Sequence, residues 1–174
     1  QIRYPVHLSY GNEEQLINIF REVKDDDWVC TSYRNHYHAL LKGFPPETLK
    51  QMILEGRSMF IMSKEYKFVS SAIVPGQLPL AVGIALALKR KNILNKVWAF
   101  CGDMAAETGV FNECTKYATR NNLPITFIIE DNGWSVDTPT QKSWGEDASL
   151  SDIRRYSYER TRYPHHGCGK WVQF

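Results

Sequence analysis

The chain has 174 residues, 43% of them hydrophobic, with a formal net charge of +2. That length is enough for one domain with a full core, and a charge so close to neutral argues against nucleic-acid and anionic-membrane partners. No apolar run approaches the ~20 residues needed to cross a bilayer; the longest, residues 78–88, is interrupted by Pro79 and Gly83.

The elements follow one another as helices alternating with apolar strands. Residues 11–23 (GNEEQLINIFREV) carry a helical stripe of Leu16, Ile17, Ile19, Phe20 and Val23, and 24–27 end it. Residues 28–31 form a short strand. The polar, imidazole-rich stretch 33–38 (YRNHYH) follows directly, with His36 and His38 alternating as on a strand. Residues 45–54 read as a helix with proline in its first turn. Residues 56–71 read as a loop running into the turn at 73–77 (IVPGQ), and 78–91 as a mostly buried helix. A strand at 95–101 is followed by a helix from 107 or 108 to 121, with Val110, Phe111, Cys114 and Ala118 on one face. A second strand covers 125–129, and 131–146 is a polar loop. Near-continuous apolar strands joined by helices predict an α/β three-layer sandwich around a mostly parallel sheet. Ligands of such sheets bind beyond the carboxyl ends of the strands.

The four cysteines, Cys30, Cys101, Cys114 and Cys168, show neither C-x-x-C nor metal spacing. They read as reduced structural thiols. The first residues show no secretory pattern, and a cytoplasmic location is expected.

Two strand ends carry the chemistry. Asp103 closes the run 97–101 (VWAFC) and Asn132 closes the run 125–129 (ITFII), with one helix-length segment between them. A charged and a neutral oxygen at adjacent strand ends suit Mg²⁺, which takes only a few protein oxygens and the rest from phosphate and water. The small residues at 105, 106 and 109 then begin a helix, whose free N–H groups suit a diphosphate.

Residues 102–140 (GDMAAETGVFNECTKYATRNNLPITFIIEDNGWSVDTPT) resemble the thiamine-diphosphate signature. They are most similar to the alpha subunit of the decarboxylating component of 2-oxoacid dehydrogenases, with its G-D-G, N-L-P, E-N-N-G-Y and T-P-T blocks. The likeness extends upstream to residues 7–14 (HLSYGNEE), 33–38 (YRNHYH) with 41–43 (LKG), and 72–80 (AIVPGQLPL) with 83–87 (GIALA).

The resemblance implies a thiamine-diphosphate-binding fold. It implies Mg²⁺ held by Asp103, the Asn132 side chain and the Trp134 carbonyl, and the diphosphate held by the backbone of Gly102, Met104 and Ala105. Tyr33 and Arg34 would bind the same group, and Arg34's fork suits phosphate oxygens. The backbone of Ala72, Ile73 and Val74 would meet the aminopyrimidine. His7, His36 and His38 would line the substrate end as catalytic imidazoles.

Met104 stands where the family pattern has its last glycine, so a need for positive φ there would strain it. Nothing resembles the pyrimidine-binding domain that supplies the activating glutamate. The resemblance therefore implies an active site shared with a beta-like subunit, in a heterotetramer acting on a small carbonyl substrate. On this reading, 1–150 form the diphosphate domain, and 151–174, rich in Arg and Tyr, form a tail that docks on the partner. Three other readings stay open: a split transketolase moving a ketol unit between sugars, a scaffold disabled by Met104, and nucleic-acid binding through the tail. The pair His165 and His166 lacks the spaced partners of a metal site.

Overall fold

The computed structural model describes residues 6–136, 138–145 and 153–159. The amphipathic stripe near the start folds as α1 (Glu13–Phe20), burying Leu16 and Ile19. It leads into β1 (Trp28–Ser32), α2 (His36–Leu41) and α3 (Pro46–Leu54). Next come β2 (Met62–Ser63), β3 (Phe68–Ser71), α4 (Gln77–Arg90) and β4 (Val97–Gly102). The short α5 (Asp103–Ala106), α6 (Gly109–Arg120) and β5 (Ile125–Asp131) follow. The chain continues through β6 (Trp134–Ser135), β7 (Thr138–Pro139), α7 (Thr140–Trp144) and β8 (Arg154–Ser157).

The strands form a six-stranded sheet in the order β2-β3-β1-β4-β5-β8, while β6 and β7 pair as a separate antiparallel ribbon. Within the large sheet, β1 is parallel to β3 and β4, and β5 is parallel to β4 and β8. Only β2 runs antiparallel, on β3. Alternation along β4 divides the core. Val97, Ala99 and Cys101 pack with Leu78, Ala81, Phe111 and Cys114 beneath α4 and α6. Trp98 and Phe100 pack with Leu16, Ile19, Ala39 and Leu49 beneath α1, α2 and α3. The predicted three-layer α/β sandwich is therefore present.

Several local expectations are corrected. The stretch 56–71 holds β2 and β3 rather than a loop. Ser70 is buried there with its hydroxyl bonded: its Oγ accepts the Ile61 N–H at 2.8 Å and the Asn35 Nδ2 donor at 2.9 Å. His36 and His38 lie on a helix, not a strand, and both are buried. The helix after β4 is split: α5 ends at Ala106, and Thr108 caps α6 by accepting the Phe111 N–H at 3.3 Å. Helix α4 buries one face only; Leu80 on the other is 46% exposed. The expected loop at 131–146 contains β6, β7 and α7.

The expected tail is also part of the domain where it is described. β8 extends the sheet, pairing Glu130 with Tyr156 and Asp131 with Ser157. Arg154 and Arg155 bind Glu22 and Asp131 of the same chain at 2.7 and 3.0 Å. The pair His165 and His166, Cys168 and the rest of the tail lie outside the described residues.

One buried carboxylate ties β1 to β4. Asp27, 2% exposed, accepts the Lys96 N–H at 2.8 Å, the Trp98 indole at 3.0 Å and the Lys24 N–H at 3.1 Å. Asp27→Ala strands these donors and should cost at least about 2 kcal/mol in urea unfolding. A loss below about 0.5 kcal/mol would show that water replaces the carboxylate freely.

Candidate cofactor site

The carboxyl ends of β1, β4 and β5 open into a cleft of about 70 Å³. It is lined by Tyr33, Arg34, Val74, Gly102, Asp103, Met104, Ala105, Asn132 and Trp134, and also by Ser32, Glu130, Ser135 and Tyr158. Nine residues singled out in the sequence thus meet at one place. A larger groove of about 1060 Å³ runs along α6 and β5, lined by Lys116, Arg120 and Phe127 among others. None of the site residues expected from the sequence lines it, so size alone does not mark the functional site.

Asp103 begins α5 at the end of β4 and is 2% exposed. Its carboxyl is raised above its ordinary value, chiefly by burial. The Thr140 hydroxyl, which donates to Oδ2, opposes that shift, while the charge of Asp131 adds to it. The Asn132 N–H also lies against this carboxylate and favours its charged form. A desolvated anion beside a second carboxylate is a place where a cation relieves a cost.

Asn132 forms a tight turn, with its Oδ1 accepting the Trp134 N–H at 2.9 Å. An amide oxygen has two lone pairs, so one remains for a metal. Asp103, Asn132 and a nearby backbone carbonyl are hard oxygen donors of the kind a divalent cation takes.

The floor of the cleft suits a phosphate group. Gly102 has φ −73°, which any residue adopts, and a Cβ built there meets no atom within 4 Å. Neither backbone strain nor packing requires this glycine; it keeps the cleft open. Ala105 and Ala106 are small and buried behind it. Met104 lies in α5 with no positive φ, so the side chain that replaces glycine causes no backbone strain. Its sulfur instead accepts the Trp144 indole N–H at 3.1 Å. Arg34 reaches the Leu8 carbonyl and lies 5.9 Å from the Tyr33 ring centroid.

A family model described as "Dehydrogenase E1 component" matches residues 1–152. The chain belongs to this family. The alpha subunit of the pyruvate dehydrogenase E1 component of Porphyra purpurea is 30% identical over 167 residues, covering 86% of this chain and 47% of its own length. The alpha subunit of the acetoin:2,6-dichlorophenolindophenol oxidoreductase of Cupriavidus necator is 32% identical over 143 residues, covering 76% and 43%. The pyruvate dehydrogenase E1 alpha subunit of Zymomonas mobilis is 32% identical over 148 residues, covering 79% and 42%. The chain spans less than half the length of these relatives.

The chain departs from the expected site lining at its histidines. None of the three lines the cleft. His7 packs on Tyr33 with ring centroids 4.3 Å apart, which leaves it next to a cleft residue. His38 is 1% exposed and meets the Phe100 ring at 4.6 Å, and its Nε2 is 3.2 Å from Glu130. That approach is not aligned for a hydrogen bond, and Nδ1 has no partner among the described residues. His36 is buried with Nε2 likewise unpartnered. The helix turns both imidazoles into the protein, so neither stands on the cleft wall.

His36 is held down to about 4 from the ordinary 6.5, mostly by burial, with Arg34 and His38 adding to the shift. In the unfolded chain it takes up a proton below about 6.5; in the fold it resists until about 4. Its stabilising contribution is therefore complete above the unfolded value and falls away as the pH drops towards 4. That loss should amount to about 3 kcal/mol in urea unfolding and be absent in His36→Gln. An imidazole titrating near its ordinary value by NMR would refute this.

Of the segment 72–74, only Val74 reaches the cleft. The Ile73 N–H and carbonyl are taken by Ser71 Oγ at 3.1 and 3.0 Å, and Gly76 donates to the same carbonyl at 2.7 Å. Ala72 and the Ile73 side chain face outward, Ile73 being 77% exposed. Sequence reading also missed Glu130, Thr140 and Tyr158. Thr140 stood within the T-P-T block, and the period-two spacing of Tyr156 and Tyr158 was the signal for an edge strand.

Proposed function

We propose that this chain is the diphosphate-binding, alpha-like part of a thiamine-diphosphate-dependent 2-oxoacid dehydrogenase. Asp103, the Asn132 side chain and the Trp134 carbonyl hold Mg²⁺. The backbone of Gly102, Met104 and Ala105 holds the diphosphate, with Tyr33 and Arg34 against its oxygens. When bound, the cofactor supplies a nucleophilic carbon and an electron sink for decarboxylation. The residues of this chain place it and balance its charge.

Ala72 and Val74 retain backbone groups for the aminopyrimidine, since those of Ile73 are already engaged. His7, beside Tyr33, is the imidazole best placed for the substrate end. A beta-like subunit completes the site. Ile73, Val74 and Leu80 are 77%, 42% and 46% exposed, which supports an apolar seat for that partner close to the cleft. The single observation that carries this reading is the convergence of the desolvated Asp103 carboxylate and Asn132 on one cleft floored by Gly102.

Calorimetric titration of thiamine diphosphate with Mg²⁺ tests it, first into the chain alone and then into a mixture with a beta-like chain. Binding that appears or tightens in the mixture, followed by decarboxylation of 2-oxoacids, is the expected result. No binding in either preparation overturns the reading, and ketol transfer between sugars in place of decarboxylation overturns its substrate class.

A further inference from the structure

From the register of β8 on β5 we infer that Tyr158 is a positioning residue for Asn132, fixing the amide so that its oxygen is presented to the cation; this rests on the metal reading above. β5 and β8 run parallel with Asp131 opposite Ser157, and the Tyr158 N–H donates to the Asp131 carbonyl at 2.9 Å. The next residues along the two strands, Asn132 and Tyr158, therefore stand side by side.

The Asn132 Nδ2 donates to the Tyr158 hydroxyl at 3.1 Å. The orientation of the amide is not arbitrary. The Trp134 N–H can only donate, so it must face Oδ1, which leaves Nδ2 facing Tyr158. The two bonds hold the amide from opposite ends. The Tyr158 hydroxyl, acting as acceptor, keeps its own hydrogen, and the residue lines the cleft.

The ring is itself held. Tyr156, two residues earlier on the same face, lies 5.9 Å from it and donates to Glu130. A partner that fixes a ligand's orientation commonly changes metal affinity by ~10–100-fold.

Tyr158→Phe removes only the hydroxyl. Two measurements follow on the full chain. Without metal, the Asn132 side-chain amide protons should exchange with water faster in the variant than in the wild type, at an unchanged melting temperature. With thiamine diphosphate, in whichever preparation the wild type binds, the Kd for Mn²⁺ read by water-proton relaxation should rise by ~10-fold or more. Equal binding by variant and wild type overturns the role of Tyr158 and leaves the cofactor reading standing. Weaker binding with a matching fall in melting temperature overturns it in favour of a purely structural role. Absence of wild-type binding in every preparation overturns the cofactor reading, and this inference with it.

Discussion

Asp103→Asn is expected to weaken Mg²⁺ binding, measured with thiamine diphosphate present, by more than about 100-fold, beyond the range seen when a ligand's supporting partner is lost. The fold itself should not suffer. The carboxylate is buried, its ionised form is disfavoured by burial and by Asp131, and only the Thr140 hydroxyl and nearby N–H groups oppose that.

A carboxyl raised in the fold binds protons more tightly there than in the unfolded chain. Its contribution to stability therefore declines as the pH rises through the carboxylate range. The asparagine variant removes that penalty, so its metal-free melting temperature at neutral pH should equal or exceed that of the wild type. Added Mg²⁺ and cofactor should raise the wild-type melting temperature and leave the variant's unmoved. Binding by the variant at wild-type strength would remove Asp103 from the site. A metal-free melting temperature far below the wild type would mean that the carboxylate is structural.

The strands that build this cleft were legible because burial on both faces demands continuous apolar runs. Residues 97–101 and 125–129 have no other plausible location than the centre of a sheet. The residues at their carboxyl ends followed from that, and the structure brings Asp103, Asn132, Gly102 and Arg34 to one cleft. What escaped was decided by partners distant in the chain. Ser70 looks like loop composition until Asn35 and the Ile61 N–H are seen to satisfy it. His36 and His38 alternate as on a strand, yet they fall on α2, where both are buried and His38 packs against Phe100. Tyr156 and Tyr158 read as interface anchors because neither shows in sequence that β8 would pair with β5. Local pattern identifies a strand; it does not say which edge the strand joins.

That edge makes Glu130 the most consequential side chain outside the metal set. It is 9% exposed, accepts from the Tyr156 hydroxyl and from Asn12 Nδ2 at 3.5 Å, and faces His38 Nε2 at 3.2 Å. It joins α1, α2 and β8 to the end of β5 and also lines the cleft. Glu130→Leu removes the acceptor shared by the Tyr156 hydroxyl and Asn12 Nδ2 and leaves these buried groups less well paired, so the fold should lose about 2–4 kcal/mol in urea unfolding. Glu130→Gln keeps an acceptor oxygen of the same reach and should lose about 1 kcal/mol. Adding Tyr156→Phe to the leucine variant removes one stranded hydroxyl and should recover part of the loss, a coupling of about 1 kcal/mol. Leucine and glutamine variants of equal stability would show that the carboxylate's hydrogen bonds do not matter. The leucine variant carries a second consequence: if the cluster is what seats β8, Tyr158 loses its support, and Mn²⁺ affinity should fall even at temperatures where the chain remains folded.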